Sequence, residues 1–212
     1  QIKAILNQAT KLGLNKYLTF KEYKVLKTKS KKEYLNKEEI QLLLELNLSE
    51  NKRLEKVRDI FLVCCYTGVR FSEYKNLKKE NIELGKEGKR INYFSKKTKK
   101  YVNTICDENT FELLKKYKFN LPQISGQKYN EYIKEVCQIA GIDNVITVHT
   151  YKSGKATTYQ KQKFELIASH TARRSFVTNL FKDNVTTSLI MVCTGHTKES
   201  TLSNYIQTTA IE

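Results

Sequence analysis

The sequence predicts a mainly α-helical domain carrying small antiparallel β-hairpins, an α+β fold. Apolar residues recur every three to four positions along most of the chain, which is the helical period. Gly and Pro are scarce, 8 and 1 of 212 residues, where a turn-rich β fold needs many more. Only two short stretches, near residues 91–105 and 145–159, switch to strand-like patterning.

Ile2, Ile5, Leu6, Ala9 and Leu12 set the first stripe, so residues 1–18 read as an amphipathic helix. Residues 19–32 are basic, show no helical stripe and read as an extended linker. Asn36 and Glu39 then form a capping-box signature ahead of Ile40, Leu43 and Leu44. Residues 52–66 read as a buried helix that ends at Thr67-Gly68, and residues 71–79 as a short helix after it. Ile91–Phe94 and Tyr101–Ile105 flank a polar lysine-rich turn and read as a hairpin. Helices are expected over 109–117 and 130–140, the second stopped by Gly141. A second, smaller hairpin is expected from 145–150 and 157–159, around Lys152-Ser153-Gly154-Lys155. Helices over 169–182 and 187–193 follow, with Gly195 as a left-handed cap, and a short helix begins near Ser200. No internal repeat is visible.

Charge narrows the partner class. Lys and Arg total 38 against 22 Asp and Glu, a net charge of +16. Such an excess attracts polyanions, nucleic acid first among them. A lysine-rich, AT-biased genome produces the same composition without any such partner, and charge alone leaves both readings open. The longest apolar run, Ile60 to Tyr66, falls far short of the ~20 residues of a membrane-spanning helix, so a soluble protein is expected. Five cysteines include no C-x-x-C pair, and Cys64-Cys65 lie inside that apolar run. They read as core residues of a reducing compartment. Cys193 and His196 have a superficial ligand spacing that nothing nearby completes, so no metal is expected. The chain opens on Gln1 rather than Met, as expected of a piece excised from a longer protein.

Four clusters can carry chemistry. His170 and Arg173 stand at i and i+3, sharing one helix face with Cβ atoms roughly 5–6 Å apart, an arrangement suited to holding a phosphate. Gly195-His196 follows a buried helix, and Tyr205 lies nine residues beyond His196, a phenol able to attack phosphorus. Arg70 follows the Thr67-Gly68-Val69 turn, where backbone can approach a ligand. Lys96, Lys97, Lys99 and Lys100 crowd the hairpin turn, where a lysine can enter a DNA groove or protonate a leaving group. Taken singly, each has a plainer reading: a surface helix, a packing tyrosine, a solvated arginine and a charged turn.

Taken in order, Thr67-Gly68-Val69-Arg70-Phe71-Ser72-Glu73, Lys97-Thr98, His170-Thr171-Ala172-Arg173, Gly195-His196 and Tyr205 resemble the tyrosine recombinase, or phage integrase, family. The resemblance covers essentially the whole chain and includes connecting text such as Arg174-Ser175-Phe176. Its wording is most similar to integrases of conjugative transposons and bacterial mobile elements. The strand Val102-Asn103-Thr104-Ile105-Cys106 departs from the family by lacking a proline. The chain also ends seven residues after Tyr205, so the tail that family members exchange between protomers is expected to be short or removed.

The resemblance implies a tyrosine recombinase catalytic-domain fold over residues 34–212. It makes residues 19–33 a basic linker and residues 1–18 the last helix of a core-binding domain. It implies six catalytic residues: Arg70, Lys97, His170, Arg173, His196 and the nucleophile Tyr205. Lys96, Lys99 and Lys100 stay as competitors for the lysine role. The arginines would hold the scissile phosphate, the histidines would donate to it or assist the phenol, and Lys97 would protonate the 5′-hydroxyl. Glu73 is expected to orient Arg70 or to cap its helix, a structural rather than a catalytic role. No cofactor or metal is implied. The partners implied are double-stranded DNA and, on paired sites, a homo-tetramer assembled from monomers, with accessory DNA-bending proteins, in the bacterial cytoplasm at the nucleoid. Integration or excision of a mobile element is the expected event. A DNA-inverting or chromosome-dimer-resolving recombinase, a type IB topoisomerase-like enzyme and a non-catalytic DNA-binding relative are the alternatives.

Overall fold

A computed structural model describes residues 2–23, 32–85, 88–152 and 155–207. The chain divides into two units, residues 1–30 with 150–157, and residues 31–149 with 158–212.

In the first unit, α1 (Ile2–Lys11) ends at Gly13, whose φ of +73° is the left-handed turn glycine adopts freely. A 3₁₀ turn at Thr19–Lys21 follows, and its Lys21 carbonyl accepts from Lys3 Nζ at 3.0 Å. The stretch read as an extended linker therefore begins as a 3₁₀ turn, while residues 24–31 lie outside the described residues.

In the second unit, α2 (Lys37–Glu45) starts at the expected capping box. Asn36 Oδ1 accepts from the Glu39 amide at 2.8 Å, and Glu39 Oε2 accepts from the Asn36 amide at 2.9 Å. The central helix α3 (Lys52–Thr67) buries Leu54, Val57 and all of Ile60 to Cys65. A helix with apolar residues on every side must be enclosed, and α3 packs against α2, α4 (Glu108–Lys116), α5 (Gly126–Ile139) and α7 (Ser169–Lys182). Fully burying each such Leu or Ile contributes roughly 1.5–3 kcal/mol. Helix α5 starts four residues before the expected Asn130, because Ser125 Oγ caps it at the Lys128 amide, 3.4 Å away. The short α6 (Lys163–Leu166), which the sequence pattern does not announce, leads into α7.

The expected hairpin is part of a three-stranded antiparallel sheet. Strands β1 (Ile82–Gly85), β2 (Gly88–Ser95) and β3 (Lys100–Ile105) lie in that order. The register pairs Ser95 with Lys100 and Tyr93 with Val102, which buries Ile91, Tyr93, Ser95, Val102 and Thr104 on one face. It also confines the turn to Lys96–Lys99. Strand β1 has no counterpart in the sequence pattern because it is an edge strand with little to bury, Leu84 being 85% exposed. Strands β4 (Val145–Lys152) and β5 (Lys155–Gln162) make the second hairpin, longer than expected; residues 153–154 of its turn lie outside the described residues.

Residues 71–79 do not form the expected α-helix. The amides of Glu73 and Tyr74 both bond the Arg70 carbonyl, at 2.7 and 3.0 Å, and 3₁₀ turns follow at Tyr74–Asn76 and Lys79–Asn81. Tertiary contacts override the helical propensity: Tyr74 is buried and its hydroxyl donates to the Pro122 carbonyl at 2.9 Å, while Glu73 turns inward to Arg70. At the other end, α8 (Thr187–Thr194) closes on Gly195 at φ +66°, and α9 (Glu199–Leu202) follows. Phe176, Val177, Ile190, Cys193 and Leu202 form a second core cluster against which Tyr205 and Ile206 pack.

Candidate active site

The end of α3 supplies the first arginine. Gly68 caps that helix in the left-handed conformation, φ +67°, and a Cβ there would stand 2.4 Å from Phe176 Cδ1. Both facts require glycine. The chain then turns so that Arg70 is buried, its Nη1 donating to Glu73 Oε2 and Ser95 Oγ, each at 3.2 Å. Ser95 Oγ donates in turn to Glu73 Oε1 at 2.7 Å and accepts from the Thr98 amide at 3.4 Å. The Lys97 amide reaches the same Glu73 oxygen at 3.5 Å. The lysine turn is thereby tied to the Arg70–Glu73 pair. Of the four turn lysines only Lys97 is tied to Glu73 in this way among the described residues. Its side chain is exposed, and its charge is one of those that depress the pKa of both site histidines.

Arg173, on α7, is 1% exposed. Its Nη1 donates to the Gly68 carbonyl at 2.6 Å and its Nη2 to the Thr194 carbonyl. Two backbone oxygens thus fix the guanidinium plane, while its Nε–H has no protein partner. Burial, and then the charge of Arg70, push the Arg173 pKa down, but a guanidinium stays charged at neutral pH. Arg70 is near enough to Arg173 for its charge to act there, and with Glu73 already engaged by Arg70 the two arginines leave a surplus of positive charge. That surplus suits a multi-oxygen anion.

The phenol sits among these groups. Tyr205 OH lies 2.8 Å from His170 Nε2, its ring centroid is 4.9 Å from that of His196, and Arg173 Cζ is 5.9 Å from the Tyr205 centroid. Leu202, fully buried, anchors the segment, and Thr178 Oγ1 donates to the Tyr205 carbonyl at 3.0 Å. His196 Nδ1 meets Thr194 Oγ1 at 2.7 Å. Desolvation and the surrounding cations Arg174, Arg173, Lys97 and Arg70 lower the His170 pKa to about 4. Desolvation, Arg173 and Arg70 lower that of His196 to about 3. Both imidazoles are neutral at pH 7, so His170 Nε2 can accept the phenolic proton.

Of the six residues singled out in the sequence, His170, His196 and Arg173 therefore surround the sixth, Tyr205, while Arg70 and Lys97 lie near enough for their charges to act on both histidines. The structure adds the groups that hold them: Ser95, the Gly68 carbonyl, and Thr194, which touches both Arg173 and His196. Sequence reasoning named Glu73 but passed over Thr194 and Ser95. Their signal is faint, one small hydroxyl beside each motif.

The model of the phage integrase family matches residues 33–211. This chain belongs to that family. Among solved structures, this phage integrase family member resembles a lambda integrase dimer bound to a COC′ core site with a TM-score of 0.66 at 14% identity, covering 97% of this chain and 70% of that one. For a Tn1549 transposon integrase in complex with a circular intermediate DNA the TM-score is 0.63 at 12% identity, over 99% and 73% of the two chains. For XerH site-specific recombinase bound to palindromic difH in a post-cleavage complex it is 0.62 at 17% identity, over 89% and 52%. At these identities the likeness establishes the fold, that of the tyrosine recombinase catalytic domain. The chain spans about half the length of the XerH chain it matches. No curated protein matches it significantly.

Proposed function

We propose that this chain is the catalytic part of a site-specific DNA recombinase that cleaves and rejoins strands through a 3′-phosphotyrosine intermediate. The observation that carries the reading is the 2.8 Å contact between Tyr205 OH and neutral His170, inside a site built from two buried arginines. Tyr205 attacks the scissile phosphorus and forms the O–P bond while its proton passes to His170 Nε2. The bond to the 5′ oxygen breaks, and Lys97 gives that oxygen a proton. Arg70 and Arg173 stabilise the charge on the non-bridging oxygens, which is the main demand a phosphoryl centre makes on its protein. Attack by a new 5′-hydroxyl reverses these steps and releases the tyrosine. Bond energy is conserved, so no nucleotide is hydrolysed.

In this reading residues 34–212 are the catalytic domain, residues 19–33 the basic linker and residues 1–18 the remnant of a core-binding domain. Its last helix is α1 (Ile2–Lys11), shorter than the 1–18 expected because Gly13 turns the chain out of it. The apolar stripe of α1 supports the last assignment, with Ile2 75% and Ile5 68% exposed. Double-stranded DNA is the substrate, and the net charge of +16 favours it. Homo-tetramers on paired sites, accessory DNA-bending proteins and a cytoplasmic location at the nucleoid complete the proposal. Integration and excision of a mobile element is the favoured event, supported by the motif wording.

A suicide duplex, nicked so that the cleaved strand end diffuses away, tests the chemistry. The chain should accumulate a covalent adduct, and Tyr205→Phe should form none while still binding the duplex. Adduct formation by the Phe variant overturns the assignment.

A further inference from the structure

The hydroxyl of Thr194 decides which nitrogen of His196 carries the proton. Thr194 Oγ1 lies 2.6 Å from the Ile190 carbonyl and 2.7 Å from His196 Nδ1. A carbonyl only accepts, so the single hydroxyl proton points to Ile190 O, as it does when a helical threonine bonds back one turn. Turned the other way, it would leave two oxygen lone pairs facing each other at that distance. With its proton committed, Oγ1 can only accept from the ring. His196 must therefore hold Nδ1–H, and its Nε2 carries a lone pair.

This matters because a phosphate oxygen is an acceptor too. A neutral ring in that tautomer offers Nε2 no hydrogen to give. We propose that Thr194 locks His196 in the Nδ1–H tautomer, so that the ring bonds the scissile phosphate only by taking up a proton as DNA binds. The inference rests on the proposed function and deepens it, making Thr194 a positioning residue. The groups facing the ring are Arg173 and His170 from α7, Arg70 beyond α3, Lys97 of the hairpin turn and Tyr205 after α9. Before DNA arrives the cations among them oppose protonation. A bound phosphodiester offsets the two arginines and supplies the acceptor, so the same ring becomes a good place for a proton.

Three histidines make the test tractable, since His149 and His170 are the only others. Nitrogen-15 histidine spectra of the free chain at neutral pH should show His196 protonated on Nδ1 and bare on Nε2, assigned by loss of signal in His196→Asn. The Nε2–H tautomer there overturns the proposal, whatever the variants do. Binding to a phosphodiester duplex is then measured in the Tyr205→Phe background, which prevents cleavage, by calorimetry in buffers of differing ionisation enthalpy. The complex should take up about one proton, and affinity should rise up to about tenfold per unit fall in pH. Thr194→Val frees the ring to adopt the donating tautomer, so uptake and the pH slope should both shrink. Thr194→Ser, which keeps the hydroxyl, should restore them, and His196→Asn should abolish uptake. No uptake by the parent, or equal uptake by the Val variant, sinks the idea. Adduct formation by the unmodified Tyr205 chain tests the catalytic reading separately, so the two can fail independently.

Discussion

His170 Nε2 stands 2.8 Å from Tyr205 OH, joining the start of α7 to the segment that follows α9. Both site histidines are desolvated among cations, with pKa values lowered from 6.5 to about 4 and about 3. In the unfolded chain they bind protons near pH 6.5, whereas in the folded chain they do so only well below it. The unfolded state therefore holds more protons in this window, and stability falls as pH drops below 6.5. Denaturant titrations of the free chain between about pH 7 and pH 5, above most carboxylate titration, should show this loss. A His170→Gln, His196→Asn double variant should flatten the curve. An unchanged slope would mean that the rings titrate normally.

Lys97 hangs from a turn whose backbone is bonded to Glu73 and Ser95. Lys97→Ala should slow cleavage of an ordinary duplex by at least about a hundredfold, the scale of general-acid catalysis. A duplex with sulfur at the 5′ bridging position has a leaving group that needs no proton, and it should be cleaved almost as well by the variant as by the parent. Equal defects on both duplexes would move the role to Lys96, Lys99 or Lys100.

Arg173 spans two carbonyls with one planar fork, a geometry that an ammonium on a flexible stem does not reproduce. Arg173→Lys should leave one buried carbonyl unpaired, costing about 1–3 kcal/mol of stability. Cleavage should drop by about a hundredfold or more, since the phosphate loses its fixed donors. Thermal melting and single-turnover cleavage read the two effects separately. Near-parental cleavage by a folded Lys variant would refute the clamp.

Gly68 occupies φ +67° with no room for a methyl group beside Phe176. Gly68→Ala should destabilise the chain by about 1–3 kcal/mol, the cost of a strained left-handed residue, with the added clash shifting α3 against α7. The same shift displaces the Gly68 carbonyl from Arg173, so cleavage should fall more than melting alone explains. A parallel Phe176→Leu change in the Ala variant removes the clash but not the backbone strain, and should recover part of the stability.

Local interactions explain how far the sequence alone could be read. The capping box at Asn36 and Glu39, the left-handed glycines Gly68 and Gly195, and the period of α7 are written in a few neighbouring residues, so they were legible directly. The six candidate residues stand out only through the family resemblance that their types and order carry together, and nothing local brings Arg70 to Arg173. Residue order alone therefore carries the helical class, the main helices and the candidate site groups proposed from them. Tertiary structure alone decided the rest. Residues 71–79 abandoned a helix because Glu73 and Tyr74 found partners in Arg70 and Pro122, and β1 exists because an edge strand needs a ladder rather than an apolar stripe. The proton on His196 is the sharpest case. Thr194 is two residues away in sequence, but its orienting bond exists only once α8 has formed and presents the Ile190 carbonyl. Hydrogen bonds of that kind are directional and depend on distances of tenths of an ångström, which packing sets and residue order does not.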